Sequence, residues 1–385
     1  MKSPSQILTI DIGTGTQDVH LFQSGQTLEN GFKLVMPSPT MQIQRRIQAV
    51  TKRGNALLLT GVMMGGGPCH WATQAHLDAG YRVYATPDAA RTFNDDLDWV
   101  QQKMGIQIIS AEEADHRSSA TRIEFRDFIF ASIRSAFLAF NVILDPQAVG
   151  VAVFDHGAAP PSISDRQFRF DYLKRQLETS GRLTAFAHHA HQVPEVMTRM
   201  RAVVSSASAL DCPLIVMDTA PAAVLGATFD PQVHAAAQVL VANVGNFHTI
   251  AFRLGPEGVE GLFEHHTGLI DQAKLEGLLK KMGAGTLDHA QVFDDHGHGA
   301  FIKEHSALDL NVGPFGVAVT GPRRTLLRGS ALRPYFAAPF GDMMLAGNFG
   351  LLAAIAEHVP AVSGPIREAL AGRGLFAAPW DIEGA

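Results

Sequence analysis

Ile7-Leu8-Thr9-Ile10-Asp11-Ile12-Gly13-Thr14-Gly15-Thr16-Gln17-Asp18-Val19-His20-Leu21-Phe22 is the stretch on which the fold turns. An apolar run ends in an acid, a Gly-Thr-Gly-Thr turn follows, and alternation resumes at Val19 and Leu21. That pattern reads as a β-hairpin with a glycine-rich tip. Such a tip leaves backbone N–H groups free to converge on phosphate oxygens. Thr14 and Thr16 add hydroxyl donors, and Asp11 at the strand end is placed to hold the water shell of a Mg²⁺ ion. The same residues also fit an ordinary Gly/Thr turn capped by Asp11. The dinucleotide fingerprint is excluded, because no helix follows the glycines and the third glycine is missing. A Walker loop is excluded because no Gly-Lys-Ser/Thr follows.

Outward from this hairpin the pattern is α/β. Ile7–Ile12, Asp18–Phe22 and Gly31–Met36 read as strands, and a helix is expected over about 40–52, stopped near Gly54. Ala56–Val62 reads as a buried strand and runs into Met64-Gly65-Gly66-Gly67-Pro68. Arg126–Asn141 reads as a strongly apolar, buried helix. Val149–Phe154 is a strand ending in Asp155-His156-Gly157, and Leu214–Met217 is another, ending in Asp218. Residues 162–169 read as loop, with a helix over 171–177. The pattern then restarts. Val239–Val244 is a strand, Gly245-Asn246-Phe247-His248-Thr249 a turn, and Ile250–Leu254 and Val259–Phe263 are strands. A helix over 271–282 and a strand over 316–320 follow. Strand–turn–strand–strand–helix–strand therefore occurs twice. This predicts two duplicated α/β domains, residues 1–235 and 236–385, with a cleft between them. Ligands bind outside the carboxyl ends of such strands.

Bulk properties narrow the classes. The 385 residues allow two cores, and the chain is 46% hydrophobic and 18% charged, as an ordered globular protein is. A net charge of −6 argues against non-specific nucleic-acid binding. No apolar run is long enough for a membrane helix, and no signal peptide is evident, so a cytoplasmic protein is expected. Cys69 and Cys212 are the only cysteines. They cannot form a disulfide framework or hold a cysteine-ligated iron–sulfur cluster within one chain. The 17 histidines cluster at His188-His189-x-His191, at Glu264-His265-His266, and at Asp294-Asp295-His296-x-His298.

Several of these segments resemble the landmarks of the actin, sugar-kinase and Hsp70 ATPase superfamily. Asp11–Thr16 resembles its first phosphate loop, Val241–Thr249 its second, Val317–Pro322 its adenosine motif and Gly347–Ala354 its final helix. Met217–Ala223 resembles a carbohydrate-kinase segment that contains an acid of the catalytic region. More narrowly, the chain resembles a family labelled "putative pyruvate formate-lyase activating enzyme". That match rests on Asp11–Asp18, Met64–Pro68, Asp155–Gly157, Glu264–Gly268, Gly297–Gly299, Gly321–Arg324 and Gly341–Met344. The label's radical chemistry needs three closely spaced cysteines, which this chain lacks.

The resemblance implies actin-like (ribonuclease H-like) domains binding ATP and Mg²⁺. Gly13, Thr14, Gly15, Thr16, Asn243, Gly245, Asn246, Thr249, Gly321 and Pro322 would contact the nucleotide, and Asp11 would serve the metal and catalysis. Asn243 replaces an acid of that pattern, and Gln17-Asp18 stand where many sugar kinases carry a cation. Asp155 and Asp218 are candidate general bases, each equally readable as an Asx-turn. Gly65, Gly66, Gly67, His156, Glu264, His265 and His266 are candidate substrate contacts. The glycines also suit a tight strand–helix connection, and His156 a satisfied structural role. The expected function is an ATP- and Mg-dependent phosphotransferase or ATPase acting on a small polar molecule. Two alternatives stand beside it. One is a metal-dependent enzyme using the His/Asp/Glu clusters for a transition metal. The other is an ATP-driven accessory protein for a partner enzyme. A homodimer is left open.

Overall fold

The computed structural model describes residues 4–373. Gln6–Ile12 is buried along its whole length. It pairs antiparallel with Thr16–Gln23 on one edge and parallel with Pro146–Val153 on the other. A strand enclosed in this way is selected as a continuous apolar run. Its sheet runs, in spatial order, Phe32–Pro37, Thr16–Gln23, Gln6–Ile12, Pro146–Val153, Leu214–Asp218 and Ala187–His189. A second six-stranded sheet runs Gly299–Ile302, Gly258–His266, His248–Gly255, Val239–Val244, Val317–Thr320 and Pro334–Phe336. In both, three antiparallel strands in succession are followed by two parallel ones, in the same spatial order. The antiparallel edge strands Ala187–His189 and Gly299–Ile302 are the additions that differ.

Between Phe32–Pro37 and Pro146–Val153 the chain builds a third, parallel sheet. Its order is Gln107–Ile108, Val83–Ala85, Leu57–Gly61 and Thr121–Phe125. It has its own core, with Ile47, Leu59, Val83 and Phe125 buried. The Pro39–Arg53 helix leads into it. Ser38 caps that helix through the Met41 N–H, Pro39 occupies the first turn, and Gly54 at φ 69° ends it, as helix-boundary chemistry requires.

Two apolar helices, Thr219–Ala227 and Ala346–His358, cross in close contact. The crossing needs glycine. A Cβ on Gly226 would lie 1.7 Å from the Ala346 carbonyl oxygen, and one on Gly350 would lie 2.0 Å from that of Ala222. Ala346–His358 covers the first sheet, while Thr219–Ala227 also touches Val239–Val244 and Val317–Thr320 of the second. Residues from before and after position 235 thus share one core.

Three local elements differ from the sequence pattern. The helix expected over 126–141 is confined to Phe130–Leu138. Ile133 and Phe137 face the core, whereas Leu138, Phe140 and Ile143 are exposed, because only the i,i+4 pair forms a buried stripe. The helix expected over 171–177 spans Asp165–Ser180, started by Ser164, whose hydroxyl accepts from the Gln167 N–H at 3.3 Å. Thr121–Phe125 is a strand that its charged outward residues concealed.

Candidate functional site

A cavity of about 1140 Å³ opens at the turn ends of both large sheets and is also lined by the third. At its floor the two glycine turns meet. Each closes with the same bond, Gly13 N–H to Thr16 C=O at 2.9 Å and Gly245 N–H to His248 C=O at 3.0 Å. Each also has the same register, Ile12 opposite Gln17 and Val244 opposite Thr249. A Cβ on Gly15 would lie 3.1 Å from Asn246 Nδ2, so the tips touch. Ser38 fixes the first turn, its hydroxyl donating to the Thr14 carbonyl and its N–H to that of Gly15.

Hairpin pairing sets Asp11 directly opposite Asp18. Like charges in that position repel, and both carboxyls are buried. Burial first, then the neighbouring acids, push Asp11 up to about 7 and Asp18 up to about 8. The Thr219 hydroxyl donates to Asp11 at 2.5 Å, and the Gly347 Cα packs against Asp11 Oδ2. Asn348 clamps the hairpin by donating to the Thr9 and Asp18 carbonyls, each at 2.9 Å. Asp18 was not among the expected site residues, although counting back from the turn would have paired it with Asp11.

The other expected residues separate into two groups. Gly13–Thr16, Gly65–Gly67, Asp155, His156, Asn243, Gly245, Asn246, Gly321 and Pro322 all line the cavity. Asp155 accepts from the Gly157 and Met200 N–H groups, at 2.8 and 2.9 Å, and burial raises it to about 6. The Gly65–Gly67 loop is shaped by close approach. The Gly65 N–H donates to Asp127, and a Cβ on Gly67, at φ +69°, would lie 2.7 Å from the Phe247 ring.

Asp218, Thr249, Glu264, His265 and His266 do not line the cavity. Thr249 bonds the Thr267 hydroxyl, and His265 faces Asp295 at 3.2 Å. Asp218 and Glu264 both hold Arg169, which is fully buried and was read from the sequence as loop. Burial alone would lower the Arg169 pKa, but the two carboxylates more than offset it and the guanidinium stays charged. Burial raises Glu264 to about 7 against the pull of Arg169.

The histidine groups are re-sorted by the fold. His188 meets the Tyr172 hydroxyl at 2.8 Å and His189 the His358 carbonyl at 3.0 Å. His266 is instead the direct cross-strand partner of His248, and the His298 N–H bonds the Glu264 carbonyl at 2.9 Å. One ring nitrogen from each of His248, His266 and His298 lies within 4.8 Å of the others. His248 was read only as part of the second turn, and His156 stands beside the trio. Burial first, then neighbouring cationic groups, lower the pKa of all four, that of His156 to about 3. Both effects favour the neutral imidazole.

A profile of the family described as "Putative pyruvate format-lyase activating enzyme (DUF1786)" matches residues 64–326, more than half of the chain. No curated protein matches. Among solved structures, an exopolyphosphatase-like protein is 10% identical, with 83% of this chain and 66% of that one covered and a TM-score of 0.25. The PPX-GPPA enzyme of Aquifex aeolicus is 9% identical, with 71% and 56% covered and a TM-score of 0.20. The ROK hexokinase of Thermus thermophilus is 12% identical, with 95% and 87% covered and a TM-score of 0.23. The chain thus spans less than two thirds of the length of the first two. Among the described residues no helix is long and apolar enough to cross a membrane.

Proposed function

We propose that this chain, which belongs to the family described as "Putative pyruvate format-lyase activating enzyme (DUF1786)", is a nucleotide-dependent phosphotransferase or ATPase. The nucleotide phosphates lie between the Gly13–Thr16 and Gly245–His248 turns. In this reading residues 1–235 and 236–385 are duplicated actin-like units around a nucleotide cleft, tied together by the crossing glycine-bearing helices. The observation that carries it is the tip-to-tip pair of identically closed turns over two opposed, buried carboxylates. Turns of this type present backbone donors to phosphate oxygens, and paired buried acids are relieved by a cation.

Asp11 and Asp18 fit Mg²⁺, a hard cation that takes carboxylate and water oxygens. When bound there, it supplies neutralisation of charge on the phosphate oxygens. The chain's own residues do the rest. Thr219 holds the Asp11 carboxylate by its hydroxyl. The Gly321-Pro322 turn, with Gly321 at φ +95°, forms the wall for the nucleoside. Asp155 is the base that accepts a proton from a hydroxyl acceptor. It lines the cavity, and a pKa of about 6 suits proton transfer near neutrality, whereas Asp218 is committed to Arg169. The acceptor, a small polar molecule, lies between Gly65–Gly67 and Asp155-His156.

The family description's chemistry is not adopted, because Cys69 and Cys212 cannot furnish three thiolates. The word "activating" favours a second reading with the same cleft, in which hydrolysis acts on a partner enzyme and no small acceptor exists. Calorimetric titration of Mg·ATP into wild type and Asp11→Ala tests the cleft. Saturable binding that the substitution abolishes is expected, and an absence of binding to wild type overturns the reading. Turnover measured without any acceptor then separates hydrolysis from transfer.

A further inference from the structure

The geometry points to a nitrogen-ligated transition-metal site, of the zinc class, formed by His248, His266 and His298 at the rear wall of the cavity. Three strands deliver these rings to one end of the second sheet. His248 opens one strand, His266 closes its neighbour, and His298 immediately precedes the edge strand Gly299–Ile302. The ring centroids form a near-equilateral triangle, with sides of 5.0, 5.1 and 4.7 Å. One candidate nitrogen from each lies within 4.8 Å of the others. Three imidazole nitrogens around zinc at its usual bond length sit about 3.3 Å apart, so small ring rotations close the set.

The rings have no competing role. His248 Nε2 and both ring nitrogens of His298 are buried without a hydrogen-bond partner, as is His156 Nδ1 beside them. Buried polar nitrogens left unpartnered are costly, and those on His248 and His298 favour an electron-pair acceptor between the rings. Neighbouring groups hold His248 and the loop that carries His298 in place. Phe154 stacks flat on His248 at 4.0 Å with an interplanar angle of 4°, and the Arg169 guanidinium lies 3.6 Å from the Phe154 ring centre. The loop ahead of His298 is pinned by Arg166, which donates to the Phe293 and Gly297 carbonyls. A Cβ on Gly297 would strike Val292 and the His265 ring. Among the described residues no carboxylate joins the trio, since Glu264 is held by Arg169, and imidazole without carboxylate selects zinc, iron, copper or nickel over magnesium.

His248 and His156 line the cavity while His266 and His298 do not. The trio thus borders the space assigned to the polar acceptor through His248. A metal there binds an oxygen of that molecule, a hydroxyl or an oxyanion, as a Lewis acid. The inference stands apart from nucleotide binding, and its test reads metal alone.

The test is to strip the full-length protein with a chelator, titrate it with Zn²⁺, and titrate it with Co²⁺ followed by visible absorption. One equivalent of Zn²⁺ and a tetrahedral Co²⁺ spectrum are expected for wild type. His266→Ala and His298→Ala should lose at least about 100-fold in Zn²⁺ affinity, while exposed His191→Ala keeps it. If neither alanine variant folds, the wild-type Co²⁺ spectrum decides. Sub-stoichiometric Zn²⁺, an octahedral Co²⁺ spectrum, or unchanged affinity in folded His266→Ala and His298→Ala would overturn the assignment.

Discussion

Replacing Arg169 with methionine should be among the most damaging single substitutions in the chain. The guanidinium is fully buried and donates to Glu264 at 2.9 and 3.1 Å, to Asp218 at 2.7 and 3.3 Å, and to the Asp155 carbonyl at 2.7 Å. It therefore bridges the Leu214–Asp218 strand of the first sheet and the Gly258–His266 strand of the second. Methionine preserves much of the stem's packing but strands two buried carboxylates. Removing one partner of a buried ion pair costs about 3–5 kcal/mol, a large part of the roughly 5–15 kcal/mol that holds a typical domain folded. The loss should grow with pH. Stranded in the fold without the pull of Arg169, Glu264 keeps a proton that the unfolded chain releases. The native variant then binds more protons than the unfolded one, and stability falls by up to about 1.4 kcal/mol per pH unit for each proton retained. Urea denaturation at pH 6 and pH 8 measures both effects. The triple variant Arg169→Met, Asp218→Asn, Glu264→Gln removes the stranded charges and should recover more than about 1 kcal/mol relative to the single variant. A single variant within about 1 kcal/mol of wild type, or a triple variant no more stable than the single one, would refute the reasoning.

Three further outcomes follow from the geometry. Asp11→Asn should abolish Mg·ATP binding by calorimetry yet raise the melting temperature of the ligand-free protein, because it removes one of two opposed buried carboxylates; a lower melting temperature counts against the cation site. Gly226→Ala forces a Cβ to within 1.7 Å of the Ala346 carbonyl oxygen, so it should cost about 3 kcal/mol or prevent folding, read by urea titration. Burial lowers the His188 pKa from 6.5 to about 4, so the unfolded chain takes up a proton there before the native chain does. Stability from this group is complete above about pH 6.5 and is lost as pH falls toward 4, amounting to about 3 kcal/mol. His188→Asn should flatten that part of the stability–pH profile.

The hairpins were legible because period-two alternation and a glycine turn are local. Residues 7–22 contain everything needed to place Gly13–Thr16 at a sheet end, and residues 239–254 repeat it. Gly54 was legible as a stop for the same reason, and it adopts left-handed geometry. What was not legible depends on pairing across strands. His248 and His266 face each other only once the register of two strands is known. His298 joins them only through an edge strand, Gly299–Ile302, too short to show a period. Glu264 looked like a cleft ligand because it stands in one cluster with His265 and His266. Its carboxylate goes instead to Arg169, on a helix whose start was signalled by Ser164 and Gln167 and passed over. The edges Ala187–His189 and Pro334–Phe336 are likewise three residues long, too short to show a period.

Laid position against position through their shared register, the two turns have diverged in chemistry. Asp11 corresponds to Asn243 and Thr16 to His248. The first hairpin keeps carboxylates and hydroxyls, which suit a hard cation and phosphate. The second has exchanged them for an amide and an imidazole, which suit a borderline-soft metal. His248→Thr tests whether that exchange created a separate site, because it returns to the second turn the residue type that the first one holds. The substitution removes one of three nitrogen ligands, so Zn²⁺ affinity should fall at least about 100-fold. It also relieves a buried, unpartnered Nε2, so the ligand-free fold should survive. Mg·ATP binding draws on Asp11 and the turn backbone, and should persist in the same protein. Paired calorimetric titrations, Zn²⁺ in one and Mg·ATP in the other, read the two sites independently. Loss of both affinities in a folded variant would mean that the histidines and the phosphate turns form one site, and the division between the hairpins would have to be abandoned.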